Sequence, residues 1–142
     1  MRFEEGGEEE EVTFPSAEHW MMVQKALLFK DVEMAREMLE CEDMVQVKAL
    51  GRKVENFDED KWIEERMRIV VEGNLHKFRQ NEGLKQKLVA TGEKRIVEAS
   101  PRDRIWGIGF GEKNALKSRD RWGLNLLGQA LEETRRMLSW EH

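Results

Sequence analysis

Glu18 and Lys25 are the first residues of the chain whose types and spacing could do chemistry. Pro15 and Ser16 are typical of a helix start, so Glu18 lies in the first turn, where exposed N–H groups and the helix dipole favour an ionised carboxylate. Lys25 follows on the same helix face, about 10 Å further along the axis. A ribose phosphate could bind between these two side chains. The plainer alternative, which the pattern alone favours, makes Glu18 a dipole-complementing acid and Lys25 a solvated base.

A second group of candidates lies in an aromatic, glycine-rich segment near the C-terminus. Residues 100–117 show no periodicity, and ordered loops of this length are usually functional. Asp103 precedes Trp106 by three residues, so a carboxylate and an indole could face one ligand, and Gly107 would let the backbone come near. The structural alternative makes Trp106 a core residue. The glycines of 107–111 lack the spacing of a dinucleotide or phosphate-binding loop, which excludes a Rossmann site.

Three further polar residues have both a functional and a structural interpretation. Glu98 could act as a second acid or hydrogen-bond Arg52, and Asn125 could cap its helix or reach the ligand. Arg52 and Lys48 lie one turn apart and could offer two cationic donors to a phosphate. Exposed cations at this spacing are ordinarily surface charge, so a structural role is at least as plausible for each.

Composition narrows the class of protein. Cys41 is the single cysteine, which excludes an intrachain disulfide and a thiolate cluster and favours a reducing, intracellular environment. No apolar run is long enough for a membrane span and no signal peptide is recognisable, so a cytoplasmic protein is expected. A net charge of -5 argues against broad, nonspecific binding of nucleic acid and favours a small ligand. The three histidines show no ligand spacing, so neither a metal site nor a cofactor is predicted.

The elements that must position these residues are mainly helices. Apolar periodicity and start signals predict six helices, over residues 16–29, from Asp31, from Asp43 to about Leu50, 59–79, 83–90 and 123–140. Two β-prone runs, 12–14 and 95–99, predict a small sheet. We therefore expect an α+β fold, mainly helical, with one domain over 14–142. The acidic residues 1–13 are expected to form a tail or a hairpin arm.

Several short segments, taken in order, resemble the NADAR or YbiA-like family of N-glycosidases. They are Phe14–Trp20 with Gln24–Ala26, Ala49–Arg52, Lys77–Phe78 with Leu84 and Leu88, Thr91–Gly92, Glu98–Ser100, Asp103–Gly111 and Trp122–Gly128. Each segment alone is weak evidence, but seven segments in the same order are a specific signal. The resemblance extends over most of the chain, roughly Phe14 to Leu138. The resemblance reverses the preference stated above for Glu18 and Lys25.

The resemblance implies hydrolysis of a bond between ribose and the nitrogen of a base or amine. The substrate would carry a phosphoribosyl or ADP-ribosyl group, as in riboflavin-pathway ribosylaminopyrimidine phosphates or ADP-ribosylated nucleobases, including those of nucleic acid. The alternative is a noncatalytic module that binds ADP-ribose or a related nucleotide. An oxocarbenium-like transition state needs a nearby carboxylate. The predicted catalytic residues are Glu18 and Asp103, and the predicted substrate-binding residues are Lys25, Arg52, Glu98, Trp106, Gly107 and Asn125.

Overall fold

The computed structural model describes residues 2–5, 8–11 and 16–141. Strands β1, Arg2–Glu5, and β2, Glu8–Glu11, form an antiparallel hairpin. The helices are α1 Ala17–Leu28, α2 Val32–Glu40, α3 Met44–Gly51, α4 Glu59–Arg79, α5 Glu82–Ala90, α6 Glu112–Ala115 and α7 Leu126–Ser139, with a 3-10 helix at Leu116–Arg121. The chain forms two compact units, Met1–Ile69 and Val70–His142, whose boundary falls inside α4.

In the first unit, polar side chains begin the three short helices. Ser16 Oγ accepts a hydrogen bond from the backbone N–H of His19 at 3.1 Å. Asp31 and Asp43 accept equivalent bonds at the starts of α2 and α3. Each bond satisfies an N–H group that the helix itself leaves without a partner. These three starts confirm the predicted caps, and the first of them places Glu18 in the opening turn of α1.

The first unit has its core on one face of α1, against α2 and α3. Its buried apolar side chains include Trp20, Val23, Ala26, Met38 and Val47. The indole N–H of Trp20 donates to the carbonyl oxygen of Ile69 at 2.9 Å, which satisfies the one polar atom of this buried ring. The burial of this face determines which side of α1 remains available to solvent.

In the second unit, α5 packs against α7. Leu75, Phe78, Leu88 and Leu138 form its buried cluster. Ahead of α7, the backbone N–H groups of residues 123–127 donate to the carbonyl groups of residues 104–108 in five hydrogen bonds of 2.8–3.1 Å. Residues 104–108 of the predicted loop 100–117 are therefore fastened to residues 123–127. The loop prediction is wrong for residues 112–117, which belong to α6 and the 3-10 helix.

The predicted small β-sheet of segments 12–14 and 95–99 is wrong, and with it the α+β class. Residues 95–99 form no strand, because their backbone groups bond to a side chain and to a loop instead of a neighbouring strand. Asn125 Oδ1 accepts from the N–H of Glu98 at 2.9 Å, and the N–H of Ile108 donates to the Glu98 carbonyl at 3.0 Å. Residues 12–14 lie outside the described residues. Apart from β1 and β2, the regular structure of the described residues is helical.

Two other predictions concern the chain as a whole. None of the helices in the described ranges is long and apolar enough to cross a membrane. The division into an arm of residues 1–13 and a domain of residues 14–142 stays a prediction, as does the cytoplasmic location.

Gly128→Ala is expected to destabilise the protein, although alanine favours helix by about 1 kcal/mol over glycine. A Cβ at this position would overlap the carbonyl oxygen of Ile96 and the side-chain amide of Asn125. Such overpacking costs about 1–3 kcal/mol, or more where backbone must move. Thermal unfolding followed by circular dichroism measures the loss.

Gly83→Ala on α5 is the matched control, since its added Cβ meets nothing closer than 3.6 Å. This variant should be neutral or slightly more stable. Equal melting temperatures for the two variants would contradict the close approach of residue 96 to α7.

Candidate functional site

Glu18 lies in the first turn of α1 with its carboxylate open to solvent. Its Oε1 accepts from the Nζ of Lys48 on α3 at 2.9 Å, and the Glu18 side chain is still 43% exposed. The pair joins two helices of the first unit and holds an accessible carboxylate beside an ammonium group. An exposed ion pair contributes little stability, typically under about 1 kcal/mol, so its geometry matters more for chemistry than for folding.

Lys25 lies two turns further along α1, next to aromatic rings. Its Nζ is 4.7 Å from the centroid of the Phe57 ring and 5.6 Å from that of Trp62, within cation–π range. Partial burial lowers the pKa of Lys25 below its ordinary value, and the charge of Glu59 opposes that shift. The structure therefore gives this ammonium two rings and a carboxylate as neighbours. The predicted contact with a substrate phosphate stays a prediction.

Arg52 is exposed directly after α3, where its backbone N–H bonds back to the last helical turn. Lys48, the second member of the predicted cationic pair, already has the Glu18 carboxylate as its partner. A phosphate held jointly by these two cations would have to compete with that ion pair. The contact predicted between Arg52 and Glu98 stays a prediction, since the two residues belong to different units.

Asp103 closes a tight turn in the second unit that includes Trp106. Its Oδ1 accepts from the backbone N–H groups of Ile105 at 3.0 Å and of Trp106 at 2.9 Å. This is an Asx-type turn, in which the carboxylate replaces a backbone acceptor. One carboxylate oxygen is thus committed to the turn, and Trp106 is positioned by it. The Trp106 side chain itself is only partly buried.

Gly107 and Asn125 are explained by packing within the loop. A Cβ on Gly107 would lie 2.8 Å from the carbonyl oxygen of Glu98 and 2.9 Å from that of Asp103, so no side chain fits. Asn125 is buried, and its amide donates to the carbonyl of Ile96 while accepting from the N–H of Glu98, both at 2.9 Å. These contacts favour positioning roles for both residues. The Glu98 side chain is exposed and remains available to a ligand.

The structure adds site neighbours that the sequence did not indicate. Lys48 meets Glu18 because α3 packs against α1. The two rings beside Lys25 belong to Phe57, which follows α3, and to Trp62 on α4. No local spacing rule links such distant positions, because helical periodicity relates only residues of one helix. The sequence shows that the chain contains aromatic residues, but it does not indicate which of them lie beside Lys25.

A family model, described as the NADAR domain, matches residues 2–139. The chain belongs to the NADAR domain family. The resemblance drawn from the short segments is thereby confirmed, and the seven segments quoted for it fall within the matched region.

Two relatives and one solved structure place the chain within this family. An N-glycosidase of Acanthamoeba polyphaga mimivirus is 45% identical over 129 residues, which cover 89% of this chain and 76% of that protein. A riboflavin biosynthesis protein of Vibrio vulnificus is 33% identical over 91% of this chain, which spans only 32% of its length. The NMR structure of the E. coli protein YbiA matches with a TM-score of 0.68, 24% identity, and coverage of 99% of this chain and 74% of that one. The structural match shows that this NADAR domain has the YbiA-like fold.

Glu59→Gln is expected to lower the pKa of Lys25 further, because it removes the negative charge that opposes desolvation of the ammonium. The amine would then lose its proton at a lower pH than in the unaltered protein. An NMR titration of the lysine side-chain resonances through the alkaline range measures the shift.

Glu64→Gln, which removes an equal charge elsewhere on α4, is the control and should leave the Lys25 titration where it is. A Lys25 pKa that rises in Glu59→Gln, or moves equally in both variants, would contradict this description of the Lys25 environment.

Proposed function

We propose that this protein hydrolyses the N-glycosidic bond between a ribosyl group and a base or amine, with the ribose carried as a phosphoribosyl or ADP-ribosyl group. That the chain is an N-glycosidase follows from its NADAR family and from relatives that bear this name. The finer description of the substrate is our proposal. It is supported by the Vibrio vulnificus relative, which is named as a riboflavin biosynthesis protein.

The observation that carries the assignment of residues is the accessible carboxylate of Glu18. Breaking a bond between ribose and nitrogen builds positive charge on the sugar, and a carboxylate near the anomeric carbon stabilises that charge or activates water. Glu18 is held in the first turn of a capped helix, with Lys48 Nζ 2.9 Å from one oxygen. Placement on a rigid helix reduces the entropic cost of orienting the group.

Asp103 acts in this proposal as a positioning residue. Its carboxylate orders the turn that carries Trp106, and the Trp106 indole is the candidate platform for the planar leaving group. The Lys25 ammonium lies on the same helix as Glu18 and favours an anionic substrate.

The substrate class is tested by direct incubation of the purified protein. Ribosylaminouracil phosphate, ADP-ribosylated guanosine and NAD are supplied separately, and released base is measured by chromatography. Release from the first compound supports a metabolite substrate, and release from the second supports an ADP-ribosylated base. Binding of ADP-ribose without release from any compound would instead support a noncatalytic binding module.

Glu18→Gln is expected to reduce turnover by about 100-fold or more, since it keeps the shape of the side chain and removes its charge. The loss of one exposed ion pair and one helix-start charge should cost under about 1 kcal/mol of stability. Steady-state kinetics and thermal unfolding are measured on the same preparation.

Glu33→Gln is the matched control, because Glu33 occupies the equivalent exposed position in the first turn of α2. It removes only the helix-start charge, so it should lose no more stability than Glu18→Gln and keep full turnover. A folded Glu18→Gln protein with unchanged turnover would remove Glu18 from the active site.

Asp103→Asn should keep turnover within a few-fold, because the amide oxygen can accept the same two backbone hydrogen bonds. Asp103→Ala opens the turn and should weaken substrate binding more than the asparagine variant. Kinetics on both variants separate the roles. A 100-fold loss in Asp103→Asn, with Asp103→Ala no worse, would make Asp103 a catalytic residue after all.

A further inference from the structure

A polar cavity of about 260 Å³ lies in the second unit, where residue 95 and the 3-10 helix approach the start of α7. Arg95, Arg119 and Trp122 line it together with Gln129 and Glu132. Asn125, a predicted substrate-binding residue, also lines the cavity, whereas these five were not predicted site residues. The volume is below the roughly 300 Å³ at which pockets for whole drug-sized ligands begin, so the cavity suits a single group of a larger ligand.

The walls of the cavity are held by hydrogen bonds on each side. The indole N–H of Trp122 donates to the carbonyl oxygen of Ala115 at 2.8 Å, which fixes the ring. The guanidinium of Arg119 lies 5.6 Å from the centroid of that ring, in cation–π range. On the other side, the bond from the Asn125 amide to the carbonyl of Ile96 fixes the chain next to Arg95. Both arginines therefore project from anchored backbone.

The lining of the cavity includes two arginines and one carboxylate, Glu132, which is paired with another arginine. Glu132 has Arg135 as an ion-pair partner at 3.9 Å, and the Arg135 side chain is only 8% exposed. Arg135 also donates to the hydroxyl of Thr91 at 2.8 Å, which holds it in place. Within residues 16–141, no carboxylate is found at ion-pair distance from Arg95 or Arg119. Two guanidinium groups thus face the cavity with their charge uncompensated there.

We propose that this cavity binds a phosphate group of the substrate. Guanidinium groups match phosphate oxygens with paired N–H donors, and both arginines are exposed and so accessible to an anion. The ligand's identity rests on the proposed function, because phosphoribosyl and ADP-ribosyl substrates both carry such a group. Lys25 does not line this cavity.

The first test measures anion binding without catalysis. Calorimetric titration of the full chain with inorganic pyrophosphate and with phosphate should give saturable binding. Arg119→Gln and Arg95→Gln should each weaken pyrophosphate binding roughly 10- to 100-fold, the usual range for one hydrogen bond between charged groups. Arg119→Lys, which keeps the charge, should lose less. Lys113→Gln removes an equal charge from exposed α6 outside the cavity and should bind as the unaltered protein does.

The second test asks whether the anion belongs to the substrate. Arg119→Gln should raise the KM of a phosphorylated ribosylamine about as much as it weakens pyrophosphate binding, with the KM of the dephosphorylated compound unchanged. Equal rises for both compounds, unchanged pyrophosphate affinity in both arginine variants, or an equal loss in Lys113→Gln would overturn the proposal. If the unaltered protein hydrolyses neither compound, the proposed function fails, and the titration alone decides whether the anion site exists.

Discussion

The side-chain amide of Asn125 ties together the segments on which the second unit depends. It bonds to the carbonyl of Ile96 and to the N–H of Glu98, while the Asn125 backbone N–H bonds to the carbonyl of Gly107. The residue has left-handed backbone angles, φ 54° and ψ 45°, which asparagine tolerates better than most residues. A buried amide with all these partners satisfies the backbone of an extended segment that has no neighbouring strand. The turn of Trp106 and the wall beside Arg95 both rest on this arrangement.

Charged side chains have different surroundings in the two units. In the first unit, the Glu18 carboxylate and the Lys48 ammonium form an exposed pair, and the Lys25 ammonium lies against aromatic rings. In the second, two arginines face a small cavity whose carboxylate is paired elsewhere. A carboxylate suits a sugar that becomes positive, and guanidinium groups suit a phosphate.

Two glycines of the second unit are closely packed against backbone atoms. Gly107 has no room for a Cβ, and neither has Gly128, whose neighbour is the carbonyl oxygen of Ile96. The sequence pattern suggested that Gly107 would bring the backbone to a ligand. The structure shows that the carbonyl oxygens of Glu98 and Asp103 lie close to Gly107, and the predicted approach to a ligand stays a prediction. A glycine in a functional loop therefore has two physical explanations, and only the surrounding atoms distinguish them.

The sequence alone determined the six longer helices, because their signals are local, but it missed α6 and the 3-10 helix that follows it. Ser16, Asp31 and Asp43 cap neighbouring N–H groups, and the apolar period of 59–79 matches α4 from end to end. The order of short segments also identified the family. Tertiary structure decided what pairs with residues 95–99, which have the composition of a strand but bond to Asn125 and a loop. It also decided that Lys48 meets Glu18 and that Arg95 and Arg119 share a cavity. These contacts join residues far apart in the chain, and no spacing rule encodes them, since each depends on how whole elements pack.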